Sequence, residues 1–303
     1  MDGFDVFTVE SGGARLRVFA CGQGPPLVLL PGIGRPPADL AAFAGLLVQA
    51  GYRALLPEPR GIGQSNGPLE GITLHELAAD VAAAMDADSA SGAVVIGHAF
   101  GNRVARALAV DRPDLVRAVV LLSASGKVHG SAKSAEWNRL ALDASADPQE
   151  RRAAAAAAWF GPGADVTPWL TGWCIAQREA FAQAARATPL SEWWSAGSAQ
   201  VLIVLGGADA SSPPQNGYLL KEEIGPRAKL LELPGIGHSL PVEAPAALAQ
   251  AVLPTLSEFF GLEVPHTSDE SVTPSRGPPA HASMRPNTDN TSSSGSHSLK
   301  TRS

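Results

Sequence analysis

The stretch Val94-Val95-Ile96-Gly97-His98-Ala99-Phe100-Gly101-Asn102-Arg103 constrains this chain more than any other. Ala93 to Ile96 is a short unbroken apolar run, as a strand buried on both faces requires. It meets a Gly-x-X-x-Gly corner from Gly97 to Gly101, and the sequence beyond reads as a helix to about Val110. A buried strand that turns at once into a helix is a building unit of layered α/β folds.

The rest of the chain repeats that unit. Val6 to Glu10 and Arg15 to Ala20 read as two short strands joined by Ser11-Gly12-Gly13, a hairpin signal. Pro26 to Leu30 is another solid apolar strand, Asp39 to Ala50 has helical apolar spacing, and Tyr52 to Leu56 is a further short strand. Thr73 with Glu76 three residues later opens a helix that runs to about Ala87. After Pro113 the strand Ala118 to Leu122 follows, then Val201 to Leu205 and Lys229 to Leu233, and a last helix from about Pro245 to Phe260. Strands alternating with helices predict a mostly parallel sheet of roughly eight strands with helices on both faces.

Between about Ser125 and Ser198 the pattern is helical, without a clear strand, and this stretch holds all six tryptophans: Trp137, Trp159, Trp169, Trp173, Trp193 and Trp194. It reads as a helical lid inserted over the carboxyl edge of the sheet. Trp159, Trp169, Trp173 and Trp194 are the candidates for an aromatic wall over a ligand pocket. The expected organisation is therefore a core of residues 1–124 and 199–262, a lid of 125–198, and a Ser/Thr/Pro-rich tail of 263–303. The tail has too few apolar residues to offset its ordering entropy and is expected to be disordered.

Composition narrows the partners. A chain of 303 residues, 45% of them hydrophobic, can bury one sizeable core. A net charge of −6 argues against nucleic acid and against an anionic membrane surface, both of which favour a basic face. The amino terminus has no basic region followed by an apolar run, and no stretch of about 18 apolar residues occurs, so a cytoplasmic protein is expected. The two cysteines, Cys21 and Cys174, are expected as buried thiols rather than a disulfide. No His/Cys/Asp/Glu cluster has metal-ligand spacing, so no metal and no other cofactor is implied.

Several motifs arrive in a fixed order, and together they resemble the α/β-hydrolase fold superfamily, of the AB hydrolase-1 type. Gly97 to Gly101 is similar to that family's nucleophile elbow, a strained turn whose flanking glycines let strand and helix approach closely. Leu29-Leu30-Pro31-Gly32-Ile33-Gly34 resembles its oxyanion loop, with Pro31 where histidine is usual. Pro57 to Ser65 resembles a structural loop usually written Asp-x-Arg-Gly-x-Gly-x-Ser. Asp209, at the end of a strand, matches the triad acid, and His238 in Gly237-His238-Ser239 matches the triad base. The resemblance implies Ile33 and Phe100 as backbone oxyanion donors, and a small-molecule substrate.

Ala99 occupies the nucleophile position. A methyl group cannot attack a carbonyl, so no acyl-enzyme can form there. Ser123, Ser125 and Cys174 read as turn or packing residues, not replacements. The sequence therefore implies an enzyme without a serine acyl-enzyme, acting on a small apolar carbonyl-type compound with Asp209–His238 as general base. That chemistry could be non-covalent hydrolysis, a lyase step or an isomerisation. The alternative is an inactive pseudo-hydrolase that keeps the pocket and binds a small apolar ligand. A nucleotide-binding reading is disfavoured, because Pro31-Gly32-Ile33-Gly34 lacks a third glycine and a phosphate-binding lysine.

Overall fold

A computed structural model of the chain describes Met1 and residues 3–262. The expectation of a disordered tail at 263–303 falls outside the described residues.

The hairpin opens the fold. Strands β1 (Asp5–Ser11) and β2 (Ala14–Cys21) pair antiparallel around Gly12 and Gly13, with Ser11 opposite Ala14. There follow β3 (Pro26–Leu30), helix α1 (Ala41–Gln49), β4 (Arg53–Pro57), α2 (Leu74–Ala87), β5 (Ala93–His98), α3 (Gly101–Asp111) and β6 (Val116–Leu122). Next come α4 (Ala132–Leu142), α5 (Pro148–Trp159) and α6 (Ile175–Ala187), then β7 (Gln200–Gly206), α7 (Gln215–Ile224), β8 (Ala228–Leu233), α8 (Leu240–Glu243) and α9 (Pro245–Phe260). The eight strands lie in the order β1-β2-β4-β3-β5-β6-β7-β8. The β1–β2 and β2–β4 pairs are antiparallel, and the remaining pairs are parallel.

Alternation along β3 explains both layers. Leu27 and Leu29 face one side, among Phe43 and Leu47 of α1 and Leu248 and Val252 of α9. Val28 and Leu30 face the other, among Leu77 and Val81 of α2 and Val104 and Leu108 of α3. A strand places successive side chains on opposite faces, so a wholly apolar run needs helices on both. The α2 helix starts at Thr73 as its sequence demands. The Thr73 hydroxyl accepts from the His75 amide at 3.1 Å, and Glu76 accepts from the Thr73 amide at 2.7 Å. Such a reciprocal cap satisfies two otherwise orphaned donors.

Strand β3 connects leftward to β4, while β5 lies on its right. The strand order therefore reverses between β3 and β5, and open α/β sheets bind ligands in the crevice outside the strand ends at such a point. The loop after β3 and the turn after β5 both open there.

Two expectations need correcting. Cys21 and Cys174 are unpaired, but both are half-buried rather than buried, because each sits at the end of an element instead of inside one. The tryptophans of 125–198 also do not form one wall. Trp159 and Trp169 belong to a small separate core with Ala154, Ala155, Ala158, Phe160 and Val166, whereas Trp193 and Trp194 belong to the main core on the α2–α3 side. No helix among the described residues is long and apolar enough to cross a membrane.

Candidate active site

The turn between β5 and α3 sets the geometry. Ala99 has φ 50, in the left-handed region, and its amide donates to the Leu122 carbonyl at 2.9 Å. Such a conformation costs an ordinary residue about 1–2 kcal/mol. The flanking glycines permit it. A Cβ on Gly97 would lie 2.5 Å from the Asn102 Cα, and one on Gly101 would lie 2.5 Å from the Leu30 carbonyl oxygen. Strand, helix and the end of β3 thus meet backbone to backbone.

Two amides are left free beside this turn. Neither Ile33 nor Phe100 donates a backbone hydrogen bond among the described residues. The Phe100 ring is elsewhere, stacked on Phe181 of α6 at 5.6 Å between centroids.

Opposite lies an acid–base pair. His238 Nδ1 donates to Asp209 Oδ2 at 2.9 Å, which leaves Nε2 as the ring's free nitrogen. The other carboxylate oxygen of Asp209 accepts from the Ser211 and Ser212 amides, at 2.8 Å each. Burial opposes ionisation of Asp209, but the nearby His238 and these hydrogen bonds outweigh it and hold the carboxyl below its ordinary range. Asp209 is therefore an anion that fixes the tautomer and orientation of His238.

Three residues to which the sequence assigned no such role hold this pair in place: His98, on the flank of the elbow, Ser123, read as a turn residue, and Glu243. His98 Nε2 donates to the His238 carbonyl at 2.8 Å, and Ser123 Oγ donates to the same oxygen at 3.0 Å. Burial, with the neighbouring His238 adding to it, pushes His98 down to about 3, so its imidazole is neutral. Glu243 accepts from the amides of Gly237 and Gly161, at 2.9 Å each, and so joins the base loop to the end of α5. No local motif marks any of these contacts, since every partner but Gly237 lies far away in sequence.

A cleft of about 340 Å³ spans these groups, lined by Gly32, Ile33, Arg35, Ala99, Asn138, Trp159, Trp169, Trp173, Arg178 and His238. Of the four tryptophans expected there, three line it. Trp194 does not: its indole N–H donates to Glu223 at 2.7 Å and its ring lies 5.0 Å from the Arg106 guanidinium carbon. Arg106 is fully buried without a carboxylate, and Trp193 and Trp194 supply the aromatic faces that such a cation requires. A mostly apolar pocket shares Gly32 with the cleft and is lined by Leu30, Leu77, Val81, Phe100, Val104 and Phe181, among others. Among the described residues no group of three or more His, Cys, Asp or Glu could hold a metal ion.

The family profile described as alpha/beta hydrolase fold matches residues 25–164, which include the loop after β3 and the whole β5–α3 turn. The chain has the α/β-hydrolase fold. Among solved structures, a hydrolase from Pseudomonas aeruginosa is 27% identical with a TM-score of 0.66, over 84% of this chain and 98% of that one. Epoxide hydrolase A of Mycobacterium tuberculosis is 35% identical over 119 residues, 38% of this chain and 37% of that protein. An epoxide hydrolase of Caballeronia sordidicola is 30% identical over 139 residues, 45% of this chain and 42% of that protein. The matched stretches thus span less than half the length of these curated relatives, which are hydrolases.

Within this α/β-hydrolase cleft no serine, threonine or cysteine side chain is present. Ser123 is committed to the His238 carbonyl, Ser125 accepts from Arg103 Nε at 3.1 Å, and Cys174 caps α6 with its amide on the Gly34 carbonyl at 3.0 Å. No hydroxyl or thiol side chain lines the cleft to take over the position of Ala99.

Proposed function

We propose that this α/β-hydrolase-family protein is an enzyme that activates water, or an acidic carbon, at a small carbonyl compound without an acyl-enzyme. The observation that carries this reading is the Asp209–His238 pair at 2.9 Å, with His238 Nε2 as the ring's free nitrogen and a methyl group where a nucleophile would stand. In the hydrolytic form, His238 Nε2 takes a proton from water as its oxygen bonds to the carbonyl carbon. The Ile33 and Phe100 amides receive the oxyanion. The tetrahedral adduct then collapses, and the imidazolium returns its proton to the leaving group. The region of α4 to α6 acts as the lid, and the mostly apolar pocket next to Gly32 suits a hydrocarbon arm of the substrate.

The expected small apolar carbonyl compound is given a polar end in this reading. Arg35, Asn138 and Arg178 line the cleft beside the tryptophans, so only part of its wall is apolar.

Labelling with a fluorophosphonate probe tests the reading. Ala99→Ser should become labelled at residue 99 through His238, whereas the unmodified protein is not labelled there. In the unmodified protein, hydrolysis of small p-nitrophenyl esters should fall about 10² to 10⁴-fold on His238→Ala. Ala99 itself favours a second reading, a pocket that binds without turnover. That reading requires the unmodified protein to have no activity dependent on His238.

A further inference from the structure

We infer that the cleft is built for a ligand bearing a carboxylate, held by Arg178 and the Trp169 indole. This rests on the reading of the cleft as the substrate site and names the chemistry of one end of the substrate.

The two arginines of the cleft differ. Arg35 is fully engaged: its Nε and Nη2 donate to Asp39 at 2.7 and 2.8 Å, and its Nη1 donates to the Thr171 carbonyl at 2.6 Å. Its guanidinium lies over the rings of Trp169 and Trp173, at 5.2 and 4.7 Å from their centroids. Arg35 is a fastener. Arg178, on the first turn of α6, makes no side-chain hydrogen bond and no ion pair among the described residues, and its buried Nε has no acceptor. Burial disfavours its charged form and lowers its pKa. The indole Nε1 of Trp169 is likewise buried without an acceptor, on a residue only 2% exposed.

Both groups only donate. A buried donor without a partner is costly, and the half-buried Arg178 guanidinium, whose charge only the neighbouring Glu179 favours, is left without a hydrogen-bond partner at the cleft. No Asp or Glu lines the cleft to do so. Asn138 is spent: its Oδ1 accepts from Trp159 Nε1 at 2.6 Å, and its Nδ2 donates to the Ser134 carbonyl at 2.8 Å and toward Ser211 Oγ at 3.2 Å. The missing partner is an acceptor with negative charge. A carboxylate carries one charge for the one unpaired guanidinium and two oxygens for its fork of N–H groups. The carbonyl compound proposed above would then carry a carboxylate at the polar end of the cleft and an apolar arm toward Gly32.

The full chain would be titrated with phenylacetate and with its neutral analogue phenylacetamide, followed by calorimetry. Phenylacetate should saturate, and phenylacetamide should bind at least about tenfold more weakly. Arg178→Gln should weaken phenylacetate about ten- to hundredfold and leave phenylacetamide unchanged. Trp169→Phe, which keeps the ring and removes the N–H, should weaken phenylacetate several-fold. The Tm gain that phenylacetate gives the unmodified protein should vanish in Arg178→Gln. Equal binding of acid and amide, no saturable binding of phenylacetate, or an Arg178→Gln protein with undiminished affinity would each overturn the inference. His238→Ala separates the two readings. Phenylacetate binding that survives it supports the carboxylate site even where no turnover depends on His238, and turnover that depends on His238 in a protein blind to carboxylates leaves only the general base.

Discussion

His98 Nε2 donates to the backbone carbonyl of His238 at 2.8 Å, so the last residue of β5 carries the loop that presents the base. Burial keeps the ring neutral, with its one proton on Nε2. His98 faces His238 and, through its field, Asp209 and Arg35, and burial dominates all of them in pushing it down to about 3. The unfolded chain protonates this histidine near the ordinary value of 6.5. Between about 6.5 and about 3 the unfolded state binds the extra proton, so stability falls as the pH falls, by up to about 1.4 kcal/mol per pH unit. His98→Phe cannot titrate. Urea unfolding from about pH 7 to about pH 4 should show a flatter pH dependence in the variant, and equal slopes would refute the assignment.

Gly101→Ala should be among the most damaging single-methyl substitutions in the chain. Its Cβ would stand 2.5 Å from the Leu30 carbonyl oxygen and 2.7 Å from that of Pro31. Backbone cannot step aside as a flexible side chain can, and a loss of about 3 kcal/mol is expected. Chemical denaturation gives the number directly.

Ala99→Gly should behave in the opposite way to an ordinary alanine-to-glycine change in a helix. Releasing the left-handed strain at φ 50 returns about 1 kcal/mol, against about 0.5–1 kcal/mol of added unfolded-state freedom. Stability should be unchanged or slightly raised. Ala135→Gly, at an exposed position of α4, is the control and should cost about 1 kcal/mol. Equal losses at the two positions would mean that residue 99 is not strained.

His75 clasps two elements from the start of α2. Its Nδ1 bonds Asp111 at 2.7 Å and its Nε2 bonds Glu192 at 2.9 Å. The Asp111 hydrogen bond, against desolvation and with help from Glu192, raises its pKa above 6.5. A raised value means the contribution is complete below about 6.5 and lost as the pH rises through the folded-state pKa. The stability difference between the unmodified protein and His75→Gln should therefore shrink from about pH 6 to about pH 9. At this partly exposed site its size is on the order of 0.5 kcal/mol. A difference that stayed constant across that range would remove His75 as the titrating group.

The sheet could be read from sequence because its strands are short, wholly apolar and punctuated by glycine. The expected strand Pro26 to Leu30 is β3 to the residue, and Thr73 caps α2 as expected. Asp209 and His238 were legible because each sits just beyond a strand in a small-residue loop, and the structure brings them together. What stayed hidden depends on pairings between distant segments. Glu243 reads as one more surface acid until Gly161 and Gly237 are folded onto it. Arg178 reads as one more charge on a helix, and only the lack of a hydrogen-bonded carboxylate among the described residues sets it apart from Arg35. Trp194 shares a sequence segment with the cleft tryptophans but not their face, and its partner is the buried Arg106.

The carboxylate of Glu243 has a mechanical meaning. One side chain anchors both Gly237, next to the base, and Gly161, just beyond α5, while a Cβ on Gly161 would collide with the Gly235 carbonyl. Burial, against those two amides, raises the pKa of this carboxyl above the usual range. The two loops therefore share a hinge pin rather than swinging separately. A displacement at residue 161 would carry the loop of His238 with it, so the end of α5 and the position of that imidazole form a single degree of freedom.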